Sequence, residues 1–128
     1  MASYNRVVLM GNLTRDVDLR RTSGGTPVAD LGLAVNERFR NKEGEQVEST
    51  CFVDVVVWQR LAEVCGEYLH KGSPVMVEGR LQLDQWKTDD GERRSRLRVR
   101  AERVAFLPAG KRESSGERER EPEAAYHR

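Results

Sequence analysis

Hydrophobic positions along this chain recur with two different periods, and the places where the period changes mark its elements. Residues 4–13, YNRVVLMGNL, read as a first strand. Gly11 lies inside it, and a glycine within a strand marks a bulge or a sharp bend. A polar stretch from Thr14 to Arg21 and a turn over residues 22–27 follow. The second strand runs from Val28 to Val35, with Leu31, Leu33 and Val35 on one face and the small residues Gly32 and Ala34 on the other. Residues 36–49, NERFRNKEGEQVES, read as a charged hairpin connection with Gly44 at its tip. The third strand, Thr50 to Trp58, is the clearest. Its alternation points Val53, Val55 and Val57 into a barrel and Phe52, Asp54, Val56 and Trp58 outward.

The period then lengthens. In QRLAEVCGEYLHKG, Leu61, Val64, Cys65, Tyr68 and Leu69 fall on one helical stripe, and Gly72, Ser73 and Pro74 supply a stop signal. A fourth strand covers Val75 to Leu83. A second charged hairpin loop, DQWKTDDGERRS, has Gly91 near its tip, and a fifth strand runs from Arg96 to Leu107. Three strands, a helix and two strands is the order of an all-β fold with one helix, a five-stranded OB-fold Greek-key barrel whose helix plugs one end. This barrel takes in residues 1–107 as one domain. Residues 108–128 hold five basic residues and five Glu but few apolar ones, and read as a charged disordered tail.

Composition narrows the function without deciding it. Lys and Arg number 22 against 21 Asp and Glu, a net charge of +1, so any polyanion must be met by a local patch rather than by the whole molecule. No apolar run is long enough to span a membrane and the N-terminus has no signal-peptide profile, which predicts a cytoplasmic protein without a membrane partner. Cys51 and Cys65 with His70 and His127 are too few and too scattered for a metal site. Both cysteines read as reduced small residues. There is no Ser/His/Asp set, no phosphate-binding loop and no cluster of His with carboxylates, so no catalytic residue, metal or cofactor is assigned.

The candidate chemistry is binding. Phe52 and Trp58 share the outward face of the third strand. Phe39 and Trp86 sit in or beside the charged loops, flanked by Arg38, Arg40 and Lys87. Aromatic plates among cations suit unpaired nucleic acid, because bases stack on the rings irrespective of sequence while cations neutralise phosphates. Each aromatic alone reads equally as core or subunit contact; it is their combination that points to binding. Arg94, Arg96, Arg98 and Arg100 alternate with Ser95, Leu97 and Val99, and no acidic residue follows before Glu102. The row is therefore either a solvated face or a line of phosphate contacts. An OB-fold module with another duty, such as RNA binding or a structural role, stays open on the residues alone.

The stretches NRVVLMGNLTRDVDLR, LAEVCGEYLHKGSPVMVEGRL and the Trp-containing loop after them resemble the bacterial single-stranded DNA-binding protein family, over roughly residues 4–107. The resemblance implies an OB-fold homotetramer that binds single-stranded DNA without sequence preference in replication, recombination and repair, at the nucleoid. It places base-stacking roles on Phe39, Phe52, Trp58 and Trp86. It suggests phosphate contacts at Arg6, Arg20, Arg40, Arg60, Lys71 and Lys87, to which the arginine row adds Arg96 and Arg98. Phe39 and Phe52 stand where the family often has Trp, and Gln82, Asp84 and Gln85 replace cations common before the tryptophan. Asp54 occupies a place that is often basic or neutral, and an anion there repels phosphate unless an arginine neutralises it. The family's acidic terminal peptide ending in Pro-Phe is replaced by AAYHR, which argues against recruitment of replication and repair enzymes through that end.

Overall fold

Burial of one valine or leucine is worth about 1.5–3 kcal/mol relative to exposure, so alternating apolar residues commit a strand to one inward face. The computed structural model, which describes residues 1–108, shows what that commitment builds. The elements are β1 (Val7–Leu13), β2 (Asp18–Arg21), β3 (Pro27–Arg40), β4 (Gln46–Trp58), α1 (Gln59–Tyr68), β5 (Pro74–Lys87) and β6 (Arg93–Phe106). They form one sheet in the order β1-β5-β6-β4-β3-β2. An additional β1–β3 pairing, Asn12 with Ala34 and Leu13 with Leu33, closes five of the strands into a barrel. All pairings are antiparallel except β4 with β6, which is parallel through Val55–Val99 and Val56–Arg100. The barrel expected from the order of elements is the one observed.

Inside it, Leu13, Leu31, Leu33, Val55, Val57, Val75, Val77 and Val99 form the core, with Ala62, Cys65 and Leu69 of the α1 region closing one end. Two glycines make the curvature possible. A Cβ on Gly11 would overlap the Ala34 carbonyl oxygen where β1 passes from β5 to β3, and one on Gly79 would overlap the Arg100 carbonyl beside the Glu78/Gly79 bulge. The bend read at Gly11 is thus the seam of the barrel.

The structure departs from the sequence reading in several local ways. Residues 36–49 and 84–95 are not loops for most of their length: β3–β4 and β5–β6 run on as long hairpin arms. Their turns are confined to Asn41–Glu45 and Thr88–Glu92, and Gly44 (φ 80) and Gly91 (φ 87) take the left-handed backbone at the tips. The arms carry exposed, charged residues, so no inward stripe betrays them; cross-strand pairs such as Arg38–Glu48 at 3.1 Å replace core packing. β2 falls within the polar stretch expected over residues 14–21: its four exposed residues leave no apolar stripe, and backbone pairing to β3 makes it a strand. Helix α1 ends at Tyr68, four residues before the glycine stop. Leu69 is already extended, and its N–H closes the last turn on the Cys65 carbonyl at 2.9 Å. Gly72 and Ser73 belong to the turn that follows. The tail expected over residues 108–128 lies, from residue 109 onward, outside the described residues.

Candidate nucleic-acid interface

The outer face of the sheet is built by the residues that the core does not use. On β4 these are Phe52, Asp54, Val56 and Trp58. Register places Ala34, Gly32, Asp30 and Val28 of β3 beside them in that order. On the other side β6 brings Arg100 level with Val56, followed along the strand by Arg98, Arg96 and Arg94. β5 completes the face with Gln82, Asp84 and Trp86, paired with Arg98, Arg96 and Arg94 respectively. Arg20 of β2 lies across from Val28.

Phe52, 74% exposed, and Trp86, 47% exposed, are open plates on this surface. Trp58 shares the face but is partly covered. The Arg100 guanidinium carbon lies 5.6 Å from its ring centroid, within cation–π range, and the Trp58 indole N–H is buried without a hydrogen-bond acceptor among the described residues. Val56 points outward as expected yet is only 1% exposed, with Asp30 and Arg100 as its register neighbours on that face. Phe39 is not brought together with the others. It pairs with Val47 near the tip of the β3–β4 arm, and strand alternation puts it on the opposite side from Phe52.

The arginine row is not short of acidic partners, as its local sequence suggested; they arrive from neighbouring strands. Arg98, only 13% exposed, donates through Nε to Asp84 at 2.5 Å and through Nη1 to Asp30 at 3.1 Å. Arg20 pairs with the other oxygen of Asp30. The Gln82 amide donates to Asp84 at 2.8 Å, and this bond together with Arg98 holds the Asp84 carboxyl below the usual carboxylate range. Arg94 pairs with Glu92 at 2.7 Å. Asp54 is neutralised from two sides, by Arg15 and by Arg96, each at 3.8 Å. Arg15 is the functional candidate that the sequence reading missed. It crosses β3 at Gly32, and a Cβ there would overlap its guanidinium; the small outward residue was the one available sign of a side chain lying over that strand.

The other candidate cations lie off the centre of the face. Arg6 pairs with Glu78 at 3.6 Å, and Arg60 with Glu63 at 3.4 Å. Arg40 donates to the Gly44 carbonyl at 2.9 Å at one arm tip, and Lys87 ends β5 at the other. Lys71 follows the helix, where its backbone N–H donates to Asp16 at 2.8 Å. No helix among the described residues is long and apolar enough to cross a membrane.

A profile of the Single-strand binding protein family matches residues 4–107, the barrel and both arms. The chain belongs to this family. Among its relatives in the single-strand binding family, the single-stranded DNA-binding protein of Helicobacter hepaticus is 47% identical over 104 residues, covering 81% of this chain and 61% of that protein. The Wolinella succinogenes protein of the same name is 44% identical over 123 residues, covering 96% and 75%. The Thermus aquaticus protein is 49% identical over 116 residues, and the chain spans only 42% of its length. Two solved structures share the fold. One is the Plasmodium falciparum SSB in complex with ssDNA, with a TM-score of 0.77, 27% identity, and coverage of 84% of this chain and 98% of that one. The other is a deletion mutant of the Thermus aquaticus single-stranded DNA binding protein, with a TM-score of 0.75, 38% identity, and coverage of 82% and 51%.

Proposed function

We propose that this protein binds single-stranded DNA without sequence preference and shields it during replication, recombination and repair. The observation that carries the reading is the outer face itself: Phe52, Trp58 and Trp86 stand on one surface with arginines between them, on a barrel of the single-strand binding family. Rings of this kind stack unpaired bases for about 1–3 kcal/mol each, and nothing about stacking demands a particular base. The role is binding, not catalysis.

In this reading Phe52, Trp58 and Trp86 form the stacking platform, and Phe39 extends it around the edge of the β3–β4 arm. Arg20, Arg96 and Arg98 lie along the phosphate path, with Arg40 and Lys87 at the arm tips. Arg6, Arg60 and Lys71 are outlying contacts. The assembled form is a homotetramer located in the cytoplasm with the nucleoid. Apolar residues left on the outside support the assembly: Val8 is exposed on β1, and Met10 faces outward in register with Met76 of β5.

Titration with poly(dT) while following tryptophan fluorescence tests the function. Quenching is expected, and affinity should fall with salt at a log–log slope of about −0.7 per phosphate neutralised. Absence of quenching and of salt-dependent binding would refute the reading. Competition between DNA and RNA strands of one sequence measures the preference between them.

A further inference from the structure

The face that carries the arginines also carries its own anions, and these fall into two kinds. Around Arg98 the ion pairs are short and partly shielded, with Asp84 at 2.5 Å, Asp30 at 3.1 Å and Arg98 at 13% exposure. Around Asp54 they are long and open. Arg15 and Arg96 each stand 3.8 Å away, and all three side chains are about half exposed, at 50%, 49% and 49%. At 3.8 Å neither contact is a hydrogen bond, and exposed pairs of this kind are weak and easily exchanged. The site is nevertheless built. Asp54 lies between the stacking residues Phe52 and Trp58, Arg96 reaches it from β6, and Arg15 reaches it over β3 through the slot left by Gly32, which is in register with Asp54. Two guanidinium groups converging on one exposed carboxylate form a geometry that a phosphate can occupy equally well.

We infer that Asp54 is an internal stand-in for a DNA phosphate. In the DNA-free protein it occupies Arg15 and Arg96. A backbone phosphate displaces it, and the two guanidinium groups then serve the strand. Arg98 lies along the same path but stays paired with Asp84 and Asp30, so its charge is less available to phosphate than those of Arg15 and Arg96. The inference rests on the single-stranded DNA reading and adds to it a residue that sets the affinity. The carboxylate lowers the net positive charge met by the strand, so it weakens binding and makes its salt dependence shallower. Arg15 contributes to binding only in so far as Asp54 gives it up.

The test is a poly(dT) titration of the full chain at several salt concentrations, with circular dichroism confirming that each variant is folded. Asp54→Asn should bind about two- to fivefold more tightly than wild type, the range an exposed ion pair commands, and its log–log salt slope should steepen by about 0.7, one further phosphate neutralised. Glu67→Gln removes one charge from the exposed side of α1, far along the chain from the arginine row, and should change neither quantity to that extent. Arg15→Ala should cost more in the Asp54→Asn background than in wild type, because the arginine is then free for phosphate. Equal or weaker binding by Asp54→Asn overturns the inference, and so does equal tightening by Glu67→Gln, while leaving single-stranded DNA binding intact. Failure of wild type and all variants to bind poly(dT) overturns the inference and the functional reading together.

Discussion

At the scale of single residues, environment separates side chains of the same type. Cys65 has no exposed surface, and burial pushes its thiol up to about 11, whereas Cys51 is exposed on β4. Iodoacetamide at neutral pH should therefore label one thiol, Cys51, in the native protein and reach Cys65 only after denaturation; mass spectrometry of the digested protein reads this directly. The aromatics divide in the same way. Phe52 and Trp86 are open, so Phe52→Ala and Trp86→Ala should each weaken poly(dT) binding by about 1–3 kcal/mol with little loss of thermal stability. Trp58, under Arg100 and next to buried Val28 and Val56, should lose stability as well as affinity on truncation to Ala. Asp84 has a lower pKa folded than unfolded. Its charged form thus stabilises the fold at every pH above the unfolded value near 4, and this contribution disappears as pH falls through the folded value. Thermal midpoints measured from pH 7 to pH 3 should drop less steeply in Asp84→Asn than in wild type.

Elements follow a different logic, because a strand can be held by core, by pairing, or by both. β3 and β4 were legible where they line the barrel, since Leu31, Leu33, Val55 and Val57 alternate with outward residues. The same strands were illegible beyond it, where Phe39, Glu48 and their neighbours have no interior to face. The helix was legible from its stripe, though its end was not: Leu69 continues the apolar period while already extended, because the chain turns there to cover the barrel end. Glycine positions carry the sharpest test at this scale. Gly79→Ala sets a methyl group against the Arg100 carbonyl at a bulge, and Gly11→Ala does the same against Ala34 at the seam. Backbone atoms cannot move aside as a flexible side chain can, so each change should cost about 1–3 kcal/mol in urea unfolding. Gly44→Ala meets no neighbouring atom at its open turn tip but must hold a left-handed backbone, so it should cost about 1–2 kcal/mol from backbone strain alone.

For the whole molecule, the question is what covers the apolar residues that the barrel leaves outside. Val8, Met10 and Met76 lie on the outer side of the β1–β5 pair, at the opposite end of β5 from Trp86. The proposed tetramer would pack these surfaces together. Light scattering should report four chains at micromolar concentration, and Met76→Glu should lower that mass while the monomeric barrel keeps its circular dichroism spectrum. A monomer in the wild type would remove assembly from the proposal. The proposed stacking on Phe52 and Trp86 does not depend on it.

The barrel, its helix plug and the pool of aromatic and cationic residues are legible in the chain, because hydrophobic period and family motifs are local properties. Which of those residues meet depends on how the strands pair. Asp30 and Asp54 are distant in sequence from the β6 arginines they hold, and the parallel β4–β6 pairing is what brings those arginines beside them, whereas Asp84 meets Arg98 across the antiparallel β5–β6 hairpin. Arg15 reaches Asp54 through a slot visible only once β3 and β4 are in register. Charge along a chain says how many ions there are; cross-strand register says which of them are already spoken for before DNA arrives.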